Sequence, residues 1–169
     1  MPRLERSKLR RALVGPAGEH YVLFRLYQQG ILASLAPPGT AKVDVLVLST
    51  DERVVATLQV KTRTYGADRG WHMSPKHEAI VDDRAFYAFV DLEPVPHVRY
   101  VVPSRVVAEI VRMSHQAWLA APGVKGQAHR DSAVRRVKPT YNPPVPGYGP
   151  EWLDQCRENW QLLRGAVGA

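Results

Sequence analysis

Four polar or charged side chains interrupt stretches of sequence that are otherwise apolar: Glu19, Asp44, Gln59 and Lys61. Burying a carboxylate or an ammonium group costs free energy unless the group is paired or bound to a metal. One interpretation is structural, with Asp44 and Lys61 forming a buried ion pair and Gln59 satisfying a backbone group. Such pairs are often no more stable than apolar replacements, so a functional site is the favoured interpretation.

These residue types suit the hydrolysis of a phosphodiester bond with a divalent cation. Mg²⁺ and Mn²⁺ prefer oxygen ligands, which Asp44, the amide of Gln59 and the backbone carbonyl of Val60 can supply. Glu19 can bind the cation directly or hold a water molecule bound to it. Lys61 can orient or deprotonate the attacking water, or stabilise negative charge on the phosphate. The sequence therefore predicts a catalytic set of Glu19, Asp44, Gln59 and Lys61, with Mg²⁺ or Mn²⁺ as the cofactor.

A helix is predicted to carry the first member of this set. Pro16 is tolerated in the first turn of a helix, and Gly30 is typical of a helix C-terminus. Together they predict a helix over residues 15–29. Its apolar stripe follows Glu19 at helical spacing, so the carboxylate is expected to project from the buried face.

A hairpin is predicted to carry the other members. Residues 42–49 and 54–62 are nearly continuous apolar runs joined by a short turn, a pattern typical of an antiparallel hairpin in the middle of a sheet. Alternation along the second run places Gln59 and Lys61 on the same face. The chain runs out along one strand and returns along the other, so Asp44 and Gln59 are expected near the same end of the hairpin.

The rest of the chain is predicted to complete a mixed sheet and to add two helices. Ser104 is a plausible N-cap for a helix that ends near residue 121. Residues 122–150 are rich in glycine and proline and are expected to be irregular. A final helix over 151–164 would place Trp152, Cys156, Trp160 and Leu163 on one face. Further strands are predicted at 31–36, 86–92 and 97–102.

The arrangement Asp44…Gln59-Val60-Lys61, preceded by a helix that carries Glu19, resembles the PD-(D/E)xK nuclease superfamily. It is similar to the variant with glutamine in the third motif position, found in some homing endonucleases and some Holliday junction resolvases. The resemblance covers residues 15–110. It departs from the family pattern in two ways: no proline precedes Asp44, and Gln59 replaces an acidic residue, which removes one negative charge from the site.

This resemblance implies an α/β, restriction-endonuclease-like fold, in which a mixed β-sheet is flanked by α-helices in the order α-β-β-β-α-β. We expect one such domain over 1–169, with its core at about 15–110 and a basic loop and terminal helix at 122–164. The segments FYAFVDL, YVVPSRVV and ENWQLL also resemble small bacterial nuclease-like proteins.

The function implied by the resemblance is that of a divalent-metal-dependent endonuclease that hydrolyses DNA. Members of the superfamily often cut two strands with two sites, which implies a homodimer or larger homo-oligomer. The alternative is a catalytically degenerate module that keeps the nuclease fold and binds nucleic acid or another protein. The missing acidic residue at Gln59 is the reason to consider it.

The charge of the chain favours an anionic partner. The net charge is +7 and the pI is about 9.8, a balance for which nucleic acid is the usual partner. Basic residues cluster at 3–11 and at 125–138, the second cluster lying near Tyr141 and Tyr148; solvated surface is the alternative for both. Cations contact phosphates and aromatic rings stack on unpaired bases. The predicted nucleic-acid-binding residues are Thr62, Arg63, Lys125, Arg130, Arg135, Arg136 and Lys138.

Two further features concern a histidine-containing segment and the cellular compartment. Residues 71–78 could line a substrate cleft, form a surface loop anchored by Trp71, or hold zinc, although the spacing of His72 and His77 differs from the helical zinc-protease pattern.

The single cysteine, Cys156, cannot form an internal disulfide. No apolar run reaches the roughly 20 residues that span a bilayer. These observations predict a cytoplasmic protein without membrane contact.

Overall fold

The structure is a computed structural model that describes residues 11–64, 70–93 and 97–167. Strands of different lengths form a sheet, and helices pack against both of its faces. The helices are α1 (Arg11–Gln28), α2 (Ser104–Ala120) and α3 (Gln161–Val167). The strands are β1 (Ala33–Leu35), β2 (Val45–Leu48), β3 (Val54–Arg63), β4 (Trp71–Met73), β5 (Ala85–Asp91), β6 (Val98–Pro103) and β7 (Arg135–Val137).

The main sheet has five strands in the order β1-β2-β3-β5-β6. All neighbours are antiparallel except β3 and β5, which run parallel, with Gln59 opposite Tyr87 and Lys61 opposite Phe89. Strands β4 and β7 form a separate antiparallel pair. A mixed sheet flanked by helices is the α/β fold class that the sequence predicted, and that prediction is confirmed.

Two apolar cores lie on opposite faces of the sheet. The α1 core joins α1 and α3 to the sheet through residues such as Val22, Leu26, Leu58, Val60 and Leu163. The α2 core joins α2, β4 and β7 to the other face; it includes Trp71, Tyr87, Phe89, Ile110 and Trp152. Successive residues of β3 and β5 therefore alternate between the two cores, as strand geometry requires.

The predicted hairpin, the later strands and the helix after residue 103 are present, with small differences at their ends. Helix α1 includes Arg11, so Pro16 lies within it. Ser104 is not the N-cap of α2, because Pro103 occupies that position. The Ser104 hydroxyl instead donates to the carbonyl oxygen of Asp82 at 2.8 Å and accepts from the Asp82 N–H at 3.0 Å.

Three expectations were wrong. Segment 71–78, for which one interpretation was a surface loop, contains β4 and the start of a 3₁₀ turn, Pro75–Ala79, and the region 122–150, expected to be irregular, contains β7. The implied order α-β-β-β-α-β places a helix after the third strand of the sheet. In the described part of the chain between β3 and β5 there is no α-helix, and the next helix, α2, follows β6. The helix expected over 151–164 is replaced by turns, a 3₁₀ turn at Asp154–Cys156 and the short α3. Within the described ranges, no helix has the length and apolar character needed to cross a membrane.

Candidate active site

Asp44 lies directly before β2, at the edge where β2 meets β3. Its backbone N–H donates to the carbonyl oxygen of Leu58 at 2.9 Å, and its own carbonyl accepts from Ala36 N–H at 2.9 Å. Its carboxylate Oδ2 accepts a hydrogen bond from the backbone N–H of Val60 at 2.7 Å. Both the backbone and the side chain of Asp44 are therefore held against the middle of β3.

This hydrogen bond also defines the position of the Val60 carbonyl. In an extended strand, the N–H and the C=O of one residue point towards the same side. The Val60 N–H points at Asp44, so the Val60 carbonyl oxygen lies on the same edge of β3 as the carboxylate. Two oxygen donors are thus placed on one edge of the strand.

Gln59 and Lys61 flank Val60 in the sequence. Their side chains project from the face of β3 opposite to the side chain of Val60. Their neighbours in the parallel ladder are Tyr87 and Phe89, which belong to the α2 core. Gln59 is 9% exposed, and its amide Oε1 is buried without a hydrogen-bond partner. A buried carbonyl oxygen with no donor is rare in folded proteins, and a bound cation is one way to satisfy it.

Lys61 is partly buried beside these groups. Burial lowers the pKa of its ammonium group, and the neighbouring charge of Lys76 lowers it further, whereas the carboxylate of Asp44 raises it. The opposing influence of Asp44 shows that the two side chains lie close enough for their charges to interact. The neutral form of Lys61 is therefore more accessible than that of an exposed lysine.

Glu19 approaches from α1, on the other face of the sheet. Burial raises the pKa of its carboxyl group, the charge of Asp44 raises it further, and His20 lowers it. The close approach of α1 to β3 depends on Gly18, because a Cβ atom at that position would lie 1.8 Å from Thr62 Oγ1. A helix that packs this tightly places Glu19 near the carboxylate of Asp44.

By residue type the candidate donor set suits a hard divalent cation, with Glu19 and Gln59 approaching β3 from opposite faces of the sheet. It combines two carboxylates, Glu19 and Asp44, with the unpaired amide oxygen of Gln59 and the Val60 carbonyl, all of them oxygen ligands. Across the described ranges, no group of three or more His, Cys, Asp or Glu residues is arranged to hold a metal ion. Any cation bound here would therefore depend on the amide and backbone oxygens as well as on the two carboxylates.

His77 is a residue at this site that the catalytic prediction left out. The 3₁₀ turn buries it over β5, where its Nδ1 lies 2.8 Å from the hydroxyl of Tyr87. Burial, followed by the charges of Lys61 and Lys76, lowers the pKa of His77 to about 4. A neutral histidine thus lies beside Lys61. The sequence signal was a histidine in the polar segment 71–78, whose partner Tyr87 is ten residues away along the chain.

Trp71, in the same segment, is part of the core. It is 1% exposed, and its indole N–H donates to the carbonyl oxygen of Val90 at 2.9 Å. This agrees with the interpretation of the segment as anchored by Trp71. His72 is exposed on β4 opposite Arg136.

The predicted nucleic-acid-binding residues divide into internal and surface groups. Thr62 packs under Gly18. Arg63 forms a 2.7 Å ion pair with Asp91 and lies over the ring of Trp71. Arg135 is 8% exposed and forms a 2.5 Å ion pair with Glu78. These contacts give Arg63 and Arg135 structural partners inside the fold, and contact of these residues with nucleic acid stays a prediction.

The other four predicted residues lie towards solvent. Lys125 and Arg130 are exposed. Arg136 and Lys138 are half-buried and line a cavity of about 270 Å³ together with side chains from the second half of α2. The basic segment therefore presents cations in two settings, an open loop and the wall of a cavity.

The fold is a nuclease-like α/β fold. Among solved structures, the chain is similar to a bacterial homing endonuclease, I-Ssp6803I, with a TM-score of 0.52 over 94% of each chain and 13% sequence identity. At that identity the likeness concerns the fold alone. Neither a protein-family model nor a curated protein matches the chain.

Proposed function

We propose that this chain is a divalent-metal-dependent endonuclease of the PD-(D/E)xK type that hydrolyses phosphodiester bonds in DNA. The observation that carries the proposal is the hydrogen bond that holds Asp44 against Val60 of β3, next in sequence to Gln59, whose amide oxygen is buried without a partner. The fold shared with a bacterial homing endonuclease supports a nuclease, and the net charge of +7 supports an anionic substrate.

The chain's own residues have distinct tasks in this proposal. Asp44, Gln59 and the Val60 carbonyl hold Mg²⁺ or Mn²⁺, and Glu19 contributes a carboxylate directly or through water. When bound, the cation supplies charge neutralisation and a more acidic water. The Val60 N–H fixes one oxygen of Asp44, so the other oxygen would be the one offered to the cation.

Lys61 either accepts a proton from the attacking water or stabilises the negative charge that develops in the transition state. Its lowered pKa, caused first by burial, makes it able to accept a proton from the attacking water at a pH where an exposed lysine would not. In its charged form it would stabilise the phosphorane-like transition state. Because its pKa is lowered to about 4, first by burial, His77 stays neutral and adds no second positive charge at neutral pH.

Cleavage of both DNA strands would require two such sites, so we further propose that the active species is a homodimer or larger homo-oligomer. Light scattering on the purified chain, alone and with a DNA duplex, tests this. A complex containing one copy per duplex that still makes double-strand breaks would argue against it.

The test of the enzymatic proposal is plasmid cleavage with Mg²⁺ or Mn²⁺, by the wild type, Asp44→Asn and Lys61→Met. We expect cation-dependent nicking or linearisation by the wild type and loss of at least 100-fold in either variant, an effect typical of removing a transition-state contact. Asp51→Asn, which alters an exposed turn carboxylate, is the matched control and should cleave like the wild type.

Binding measured in EDTA separates cleavage from recognition. If the wild type cleaves no supercoiled, linear, branched or single-stranded DNA but binds DNA at low salt, the chain is a degenerate binding module and the enzymatic proposal is wrong. If it neither cleaves nor binds, the remaining interpretation is a protein-interaction module.

A further inference from the structure

A cavity of about 270 Å³ lies between the second half of α2 and residues 132–143. Its volume is near the lower end of the range for small-molecule sites, so a ligand about the size of one nucleotide fits it. It is separate from the edge of β3 that carries Asp44. None of the residues assigned to catalysis lines it.

The wall of the cavity is held in place before any ligand arrives. The Lys138 N–H donates to the Tyr141 hydroxyl at 3.0 Å, and the Lys138 carbonyl accepts from the Trp152 indole N–H at 2.9 Å. Arg135, one residue before the lining side chain of Arg136, is fixed by its ion pair with Glu78. A preorganised wall of this kind reduces the entropy lost on binding.

The lining chemistry selects an anion joined to a flat ring. Arg136 and Lys138 supply cations, and the described residues that line the cavity include no carboxylate. Tyr141 supplies aromatic surface, whereas the ring of Trp118 is already stacked on His129, with 4.1 Å between the ring centroids. The side chain of Asn142 offers an amide that can pair with the edge of a base. Phosphate contacts by cations and base contacts by aromatic rings and amides are the usual means of binding unpaired nucleotides.

One turn connects this cavity to the proposed active site. His77, in the 3₁₀ turn, lies close enough to Lys61 for that lysine's charge to lower its pKa. The next residue, Glu78, holds Arg135 in the wall of the cavity. Consecutive residues of the same turn thus lie near Lys61 and contact the wall of the cavity.

We infer that the cavity receives a single unpaired nucleotide, and that the DNA substrate carries a bulged or otherwise unstacked nucleotide near the bond that is cut. The second part rests on the proposed function, whereas the first is a statement about binding alone. Extruding a base from a regular duplex costs a few kcal/mol, least where the base is already unpaired. A cavity of this kind therefore favours DNA that has such a base.

The test measures binding in EDTA, where no cleavage occurs. Fluorescence anisotropy would compare a labelled duplex with the same duplex carrying one extra nucleotide, for the wild type, Lys138→Gln and Asn142→Asp. We expect the wild type to bind the bulged duplex about tenfold more tightly, in line with the usual gain from stacking one base. Lys138→Gln and Asn142→Asp should each bring that preference close to one.

Lys125→Gln is the matched control, because it removes the same charge from an exposed position outside the cavity. It should weaken binding to both duplexes equally and keep the tenfold ratio. Equal affinity of the wild type for the two duplexes would overturn the inference. The proposed nuclease activity would then still be decided by cleavage of plasmid DNA with Mg²⁺ or Mn²⁺.

Competition with dAMP distinguishes a nucleotide within DNA from a free one. We expect dAMP to displace bulged DNA only at millimolar concentration, because it lacks the flanking phosphate contacts. If dAMP binds at micromolar concentration, Lys138→Gln abolishes that binding and the wild type shows no preference for the bulge, the cavity serves a free nucleotide and the inference about the DNA substrate is wrong.

Discussion

The carboxylate of Asp44 accepts a hydrogen bond of 2.7 Å from the backbone N–H of Val60. This bond joins the start of β2 to the middle of β3 through a side chain, at a place where regular pairing of the two strands has ended. It therefore gives Asp44 a structural task in addition to the proposed metal-binding one. Substitutions can separate the two tasks.

Replacing Asp44 with asparagine or with alanine should change the free energy of unfolding by different amounts but should have the same effect on metal binding. Asparagine keeps an oxygen that can accept from Val60, whereas alanine leaves that N–H unpaired, so Asp44→Ala should lose about 1–2 kcal/mol more of the free energy of unfolding. Both should lose Mn²⁺ binding in titration calorimetry. Unchanged Mn²⁺ binding in both variants would remove Asp44 from the ligand set.

His77 should make stability fall in mild acid. Its pKa in the folded state is about 4, below the 6.5 of an unfolded chain, so the unfolded state binds more protons between these values. The contribution of His77 is therefore complete above about pH 6.5 and is lost as the pH falls towards 4, by an amount on the order of 3 kcal/mol.

Urea unfolding between pH 7 and pH 4 checks this, comparing the wild type with His77→Gln. The variant has no proton to gain there and should lose less stability than the wild type over this range. The exposed His20→Gln is the control and should follow the wild type. Parallel losses in the wild type and in His77→Gln would contradict the prediction.

Arg135 and Arg130 lie in the same basic segment but should respond differently to mutation. Arg135→Ala leaves the carboxylate of Glu78 without its 2.5 Å partner and should cost about 3 kcal/mol of stability. Arg130→Ala, at an exposed position, should leave the free energy of unfolding within about 1 kcal/mol of the wild type and weaken DNA binding. Chemical denaturation of both variants checks this, and equal destabilisation would show that the ion pair has little effect.

The salt dependence of DNA binding should identify the cations that contact phosphate. Each phosphate contact contributes about 0.9 to the slope of log affinity against log salt on duplex DNA. The double variant Arg136→Ala/Lys138→Ala should therefore lower the slope by up to about 1.8. Fluorescence anisotropy at several salt concentrations measures it, with Lys125→Ala/Arg130→Ala as the comparison. If both double variants keep the wild-type slope, the surface that contacts phosphate lies elsewhere on the protein.

Gly18 should be required for the position of Glu19. Alanine at Gly18 would place a Cβ atom 1.8 Å from Thr62 Oγ1, so α1 must shift, at a cost of roughly 1–3 kcal/mol, and Mn²⁺ affinity should fall as Glu19 moves. Gly15→Ala is the matched control, because its Cβ would meet nothing closer than Glu19 Oε1 at 3.9 Å. Equal stability and affinity in the two variants would contradict this prediction.

The central hairpin and the spacing of its polar residues could be predicted because both follow from local patterns. Two apolar runs joined by a short turn over 50–53 have few alternatives to an antiparallel pair, and residues two apart on β3 must share a face. The pairing of β4 with β7 could not be predicted in this way. Each strand has three residues, too few to show alternation, and 61 positions separate Met73 from Arg135.

The failed helix over 151–164 shows tertiary contacts overriding a local pattern. Its four apolar residues are buried as expected, but Glu158 has a positive φ of 52°, which interrupts a helix. The Glu158 N–H donates to the carbonyl of Arg99, and its carboxylate forms ion pairs with Arg25 and Arg99. These partners come from α1 and β6, so the amino-acid sequence around Glu158 gives no sign of them.

The two cores give the members of the site unequal freedom to change. Gln59 and Lys61 are separated by one residue of a central strand, so their spacing of roughly 7 Å is set by the covalent chain and no repacking can alter it. Asp44 and Glu19 come from the start of a strand and from a helix, and small changes under α1 can move them. If the site binds a cation as proposed, changing the cation preference would therefore require substitutions beneath α1, because the spacing along β3 is fixed.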